Sequence, residues 1–96
     1  LAVGPDAILK RLRLGLEPIT GYEHDLKLMV AEGERVATEH TETWTWHTGE
    51  TVPLQFMSIH ELRDGKIVRW WDYWDLTTLL SAAPAWWIER IMVGYT

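Results

Sequence analysis

The sequence contains no cysteine, no asparagine and no run of basic residues. Without cysteine neither a disulfide nor a thiolate site can form, so the redox compartment is left open. The net charge is −5, and basic and aromatic residues do not alternate, so neither nucleic acid nor an anionic membrane is expected as a partner. No segment has the length and apolarity of a membrane span, and no signal peptide is evident, so the cytoplasm is the expected location.

Tryptophan, in contrast, is abundant, with 7 copies among 96 residues. A chain of this length forms one small domain. Residues 1–96 show no repeat, low-complexity tract or linker, which predicts a single domain. The chain begins at Leu1 without a methionine, so we expect the domain to be incomplete at its N-terminus.

The order of patterned segments predicts an α+β fold. A helix is expected to begin at Pro5, to end near Leu16 before Pro18 and to cover the core. Strands are expected at about residues 22–30, 35–47, 53–62 and 67–74, with an Asp-Gly hairpin turn before the last one. Two short helices are expected after residue 75, the first capped by Asp75. His24 and His47 are expected in loops or at strand ends.

Alternation along three of the strands separates two faces of the sheet. One face is predicted to form an aromatic cup that holds the acids Glu42 and Asp72. Its other expected members, which would surround a bound molecule, are His40, Trp44, Leu54, Phe56, Ser58, His60, Trp70 and Trp74.

Paired carboxyl groups in an apolar cup suit acid–base chemistry. Lost hydration raises the pKa of a carboxyl group, and of two close neighbours one tends to keep its proton while the other ionises. His40 is expected to lie between the two acids and to orient both. A second interpretation stays open, in which Glu42 and Asp72 are ordinary edge residues, or a buried pair satisfied by His40 and a tryptophan N–H. A metal site of His40, Glu42, His60 and Asp72 has no compact ligand motif behind it, so neither metal nor cofactor is expected.

Three segments, "GPDAILKRLRLGLEPI", "VATEHTETW" and "LRDGKIVRWWDYWDL", resemble the limonene-1,2-epoxide hydrolase branch of the SnoaL-like, nuclear transport factor 2-like superfamily. The resemblance covers roughly residues 3–80. It implies a strongly curved antiparallel sheet wrapped with helices into a cone around an apolar pocket, commonly dimeric. It also implies that Glu42 is the general acid and Asp72 the general base of epoxide hydration.

The chain departs from that family at two places. The family has an arginine between the two acids, and His40 stands at that position here; histidine carries its charge only part of the time near neutral pH. The family's two leading helices and first strand, which supply a tyrosine and an asparagine that hold the water, have no counterpart in this sequence. The cone is therefore expected to be open on one side, closed by a missing segment or by a dimer partner.

The predicted pocket and the family resemblance leave two classes of function open, and in both the expected ligand is a small apolar molecule unless the second class binds a protein. The first is an enzyme, with epoxide hydration as the first reaction to test and SnoaL-like cyclisation or isomerisation as its rival. The second is a non-catalytic module that binds a lipophilic ligand or a partner protein.

A homodimer is also predicted. Trp71 and Tyr73 project from the face opposite the cup, where exposed neighbouring aromatics mark a contact surface. The terminal segment "PAWWIERIM" could extend that contact, plug the cup, or pack Trp86 and Trp87 onto the sheet.

Overall fold

The computed structural model describes residues 2–95, without the side chain of Tyr95. The elements are α1 (Pro5–Leu16), β1 (Ile19–Glu32), β2 (Arg35–Trp46), β3 (Thr51–Arg63), β4 (Lys66–Trp74), α2 (Leu76–Ala82) and α3 (Ala85–Tyr95). The four strands form one antiparallel sheet in the order β1-β2-β3-β4. The predicted α+β architecture is confirmed. Among the described residues, no helix is long and apolar enough to cross a membrane.

Local chemistry explains where the elements turn and begin. Asp64 and Gly65 have φ angles of 52° and 75°, which is the left-handed backbone that a two-residue hairpin turn requires. Asp75 caps α2, because its carboxylate accepts a hydrogen bond from the Thr77 backbone N–H at 3.0 Å and another from the Thr78 hydroxyl at 2.9 Å. Both features agree with the sequence prediction.

The two faces of the sheet differ sharply in burial. Along β3 the even-numbered positions 52–58 are buried and the odd-numbered positions 51–57 are exposed. The buried side, which we call the inner face, also carries His40, Glu42, Trp44 and Trp46 of β2 and Trp70, Asp72 and Trp74 of β4. The side that carries Trp71 and Tyr73 is called the outer face. The predicted grouping of the two acids on one face is therefore what the sheet shows.

The hydrophobic core occupies only one half of the inner face. It consists of Trp44, Trp46, Val52, Leu54, Phe56, Leu79, Trp87 and Ile91. Helices α2 and α3 supply the last three of these residues and so cover the half of the sheet beside the β2–β3 turn. The other half of the inner face holds the polar residues.

Helix α3 is fixed by tryptophans and by a close approach to α1. The rings of Trp46 and Trp87 meet edge to face at 5.4 Å, and Trp87 Nε1 donates to the Gly15 carbonyl at 2.7 Å. At Gly94 a Cβ atom would lie 2.5 Å from the Leu14 side chain, so a larger residue here would force that side chain to move. The sequence left three alternatives for the terminal segment, and for Trp87 the structure shows the one in which it packs onto the sheet.

Helix α1 covers less of the core than the sequence predicts. Its bounds agree with the prediction, but none of its residues is fully buried. Leu14 and Leu16 pack against the core at its C-terminal end, whereas Leu9 and Leu12 are exposed. The apolar periodicity correctly predicts a helix and overstates how much of its apolar side meets the sheet.

We predict that Trp87→Phe destabilises the fold by about 2–3 kcal/mol, because it leaves the Gly15 carbonyl unsatisfied and opens a small cavity. The matched control is Trp86→Phe, since Trp86 is only half-buried and bonds the exposed Thr48 hydroxyl. Its cost should be smaller, about 1 kcal/mol, because Trp86 packs only at the margin of the core. Urea denaturation measures both, and equal losses would contradict the role given to Trp87.

Candidate active site

A pocket of about 280 Å³ opens in the polar half of the inner face. It is lined by Tyr22, His24, Leu26, Met29, Thr38, His40, Glu42, Ser58, His60, Trp70 and Asp72. All four strands contribute, and the volume suits a small molecule. The structure thus brings both predicted acids, both predicted histidines, Ser58 and Trp70 to one pocket.

The remaining predicted pocket residues lie on the same face but do not line this pocket. Trp44, Leu54 and Phe56 are buried within the core, because α2 and α3 cover the part of the sheet where they stand. Trp74 is at the edge of that region, with its ring 5.5 Å from Phe56. The aromatic cup of the prediction is therefore two regions, a closed core and an open polar pocket.

The His40 ring is held on both faces and at both nitrogens. It stacks on His24 at 4.6 Å and on Phe56 at 5.2 Å, with interplanar angles of 21° and 2°. Its Nε2 lies 2.8 Å from Glu42 Oε2, and its Nδ1 lies 3.4 Å from the Thr38 hydroxyl. His40 is buried, so neither its position nor its orientation is free to change.

Glu42 lies in a sheltered environment beside this ring. Its side chain is 14% exposed. One carboxylate oxygen meets His40, while the other accepts a hydrogen bond from Trp44 Nε1 at 3.1 Å. The pair formed by Nε2 and Oε2 can therefore share one proton inside the pocket.

Asp72 has a different set of partners. Its Oδ1 accepts hydrogen bonds from the Ser58 hydroxyl at 2.6 Å and from Trp70 Nε1 at 2.7 Å. Both donors are neutral, and no protein donor reaches Oδ2 among the described residues. Asp72 is exposed to the pocket mouth, so that oxygen can meet water or a ligand.

The expected bridge through His40 is not found. Within residues 2–95 the nitrogens of His40 contact Thr38 and Glu42, and neither contacts Asp72. Strand register gives the reason. Glu42 pairs with Leu54, whereas Asp72 pairs with Ser58, which pairs in turn with Thr38. The two acids therefore stand in different cross-strand rows, with the His40 row between them.

Four residues of β1 line the pocket and were not predicted, and two of them, Tyr22 and His24, can take part in proton transfer or hydrogen bonding. Tyr22 lies in the pocket wall, and burial, the charge of Glu42, a hydrogen bond to Glu42 and the charge of Asp72 raise the pKa of its hydroxyl well above the usual range. The hydroxyl therefore stays protonated at physiological pH and acts as a neutral donor. His24, expected in a loop or at a strand end, stands in mid-strand directly opposite Glu42. His47 does lie in the turn after β2.

Comparison with known proteins supports the same family. The sequence model of one protein family, the SnoaL-like domain, matches residues 2–70, well over half of the chain. The chain belongs to the SnoaL-like family. Its sheet and helices place it in the nuclear transport factor 2-like superfamily, as the sequence resemblance implies. No curated protein matches the sequence.

Solved structures of the family extend beyond this chain. AclR of Streptomyces galilaeus is 28% identical with a TM-score of 0.72, over 82% of this chain and 65% of its own. TerC, crystallised with polyporic acid, is 25% identical with a TM-score of 0.75, over 84% and 62%. An epoxide hydrolase of M. tuberculosis, of the limonene epoxide hydrolase-like type, is 26% identical with a TM-score of 0.61, over 94% and 61%. The SnoaL-like chain spans less than two thirds of each.

Proposed function

We propose that this SnoaL-like chain is an acid–base enzyme for a small, mostly apolar molecule, and that water addition to an apolar epoxide is the first reaction to test. The observation that carries the proposal is the state of Asp72. Two neutral donors hold one carboxylate oxygen, and the other has no protein partner among the described residues. A carboxylate arranged in this way is fixed in orientation and still able to accept a proton.

The proposed reaction uses the two acids in separate roles. Asp72 takes a proton from a water molecule as the water oxygen attacks an epoxide carbon. The carbon–oxygen bond of the ring breaks, and the epoxide oxygen takes the proton that Glu42 shares with His40. The product is a diol. Because His40 does not join the two acids, the proton on Asp72 returns to Glu42 through solvent at the open pocket mouth.

The neutral tyrosine supports the same role for the pocket. Its protonated hydroxyl bonds Glu42 and is influenced by the charge of Asp72, so it could turn from Glu42 to donate a hydrogen bond to a substrate oxygen as negative charge develops there. Donors placed in this way stabilise the charge of the transition state.

We predict that Asp72→Asn lowers turnover by about 10²- to 10⁴-fold, the range for loss of a general base. Fold and ligand affinity should change little, because the amide keeps the shape of the carboxylate. Diol formation from a panel of apolar epoxides, measured by chromatography, gives the rate. Asp75→Asn is the matched control, since Asp75 caps α2 outside the pocket and asparagine caps a helix about as well, so both stability and turnover should hardly change.

Two outcomes of that experiment oppose the proposal. Turnover by Asp72→Asn at the rate of the unchanged chain would exclude the general-base role. Tight binding of apolar ligands, without turnover of any epoxide or carbonyl compound by the unchanged chain, would favour the non-catalytic binding module.

A second reaction class is favoured by one observation, which is that the two acids share no hydrogen-bond partner among the described residues. Cyclisation or isomerisation of the SnoaL type needs a base that removes a proton next to a carbonyl group, and Asp72 alone can serve.

Glu42→Gln separates the two classes. We predict that it lowers epoxide hydration by about 10²-fold or more, because the general acid is lost. Proton abstraction from a carbonyl compound should fall far less. The measurement is kcat on both substrate types, with proton exchange followed by nuclear magnetic resonance. A kcat for hydration that Glu42→Gln leaves unchanged would contradict the general-acid role.

We also propose that the outer face forms a homodimer. A cross-strand row places Leu28, Glu39, Met57 and Tyr73 side by side, and the next row holds Val30, Ala37, Ile59 and Trp71. Tyr73 is 58% exposed and Met57 48%, whereas Trp71 is half-buried. Apart from Glu39, these rows are apolar or aromatic, and such a patch is the usual mark of a contact surface.

If the outer face is the dimer contact, one negative charge introduced there should dissociate the dimer. Tyr73→Asp should shift the chain to a monomer in sedimentation velocity at tens of micromolar, because a carboxylate would have to be desolvated in the contact. Thr51→Glu adds the same charge at the far end of the outer face, away from the patch, and should leave the dimer intact. A monomer before any substitution would contradict the proposal.

A further inference from the structure

His24 is a site residue for which the proposed acid–base reaction has no use. It stands on β1 directly opposite Glu42, and its ring stacks on His40 at 4.6 Å. Directly opposed strand residues have Cβ atoms about 5 Å apart, which brings their side chains into contact. The exposed edge strand thus places a second imidazole beside the buried pair.

Three potential metal ligands meet at this point. One donor atom each from His24, His40 and Glu42 lies within 4.8 Å of the other two. Two of the three side chains are already oriented by outer contacts. Thr38 lies against Nδ1 of His40, and Trp44 donates to Oε1 of Glu42. These contacts leave Nε2 and Oε2 facing each other at 2.8 Å. Metal ligands are commonly oriented by such outer partners.

We propose that His24, His40 and Glu42 form a binding site for a divalent transition-metal ion such as zinc. Two imidazoles and one carboxylate are a donor set that zinc takes in catalytic sites, where a further position is left for water or a ligand oxygen. The ion would replace the proton that Nε2 and Oε2 otherwise share.

Metal binding would require a modest movement of the His24 side chain. In a tetrahedral zinc site of normal bond lengths, the donor atoms are about 3.3 Å apart. The cluster, at up to 4.8 Å, must therefore contract. His40 and Glu42 are enclosed, whereas His24 is exposed on the edge strand and can rotate toward them.

The site goes beyond the proposed acid–base function, because the ion and the shared proton compete for the same two atoms. The metal-loaded chain would lack the Glu42 acid and would instead present a Lewis acid to the pocket. Asp72 is not a ligand, so its substitution leaves the metal site untouched.

Calorimetric titration of zinc chloride into the tag-free, chelator-treated chain tests the proposal. We expect one ion per chain with a Kd of about 10 µM or tighter, and cobalt should give the intense visible bands of a tetrahedral complex. His24→Ala and Glu42→Gln should each weaken binding by about 100-fold. His60→Ala is the matched control, because His60 lines the same pocket outside the cluster, and its affinity should stay unchanged.

Two results would overturn the metal site. One is no zinc binding up to about 100 µM. The other is an equal loss of affinity in His24→Ala, in His60→Ala and in a variant of the exposed His47, which would indicate adventitious binding by surface histidines. Circular dichroism of each variant verifies the fold. Turnover of Asp72→Asn in the presence of chelator tests the acid–base reaction separately, so either proposal can fail alone.

Discussion

The contact on which the site depends is the hydrogen bond between His40 and Glu42. It persists because the His40 ring has no room to turn. Phe56 and His24 enclose its two faces, and Thr38 lies against its second nitrogen. A buried carboxylate without a partner is costly, so the same contact that positions Glu42 also makes its burial tolerable. Removal of the ring would leave the carboxylate of Glu42 sheltered from water and without its nitrogen partner. The same contact therefore affects both the stability of this half of the sheet and the reactivity of Glu42.

Helices cover only one half of the inner face, and this divides the face into two regions. Helices α2 and α3 place Leu79, Trp87 and Ile91 over the part of the sheet beside the β2–β3 turn, and there the strand residues are tryptophan, valine, leucine and phenylalanine. The polar residues begin where that cover ends. Phe56 and Trp74 stand at the border, and the stack of His24, His40, Phe56 and Trp74 crosses all four strands. The packed core thus reaches the site through Phe56, whose ring restricts the movement of the buried His40.

Strand alternation was enough to predict the fold class, the inner positions of both acids and the Asp-Gly turn, because these depend on local period and local backbone. For β1, alternation places Tyr22, His24 and Leu26 on one face but fails at Met29. A bulge between Leu26 and Leu28 changes the parity of that strand, so Leu26 and Met29 both line the pocket. The expected bridge failed for a related reason: alternation assigns a face, whereas the row in which a residue stands depends on register. Trp44, Leu54 and Phe56 became core because of helix packing, which strand period does not encode.

The two acids differ in what surrounds them, and this difference determines what each can do. Glu42 is sheltered and faces a nitrogen base, so a proton or a cation can be held between the two side chains. Asp72 is exposed and faces only neutral donors, so its charge is oriented without being neutralised. An arginine at position 40 would hold a permanent charge and exclude a cation, whereas histidine can be neutral and can coordinate one. Histidine at this position is therefore what makes the two proposals compatible with one site, because the same two atoms would hold either a proton or a metal ion.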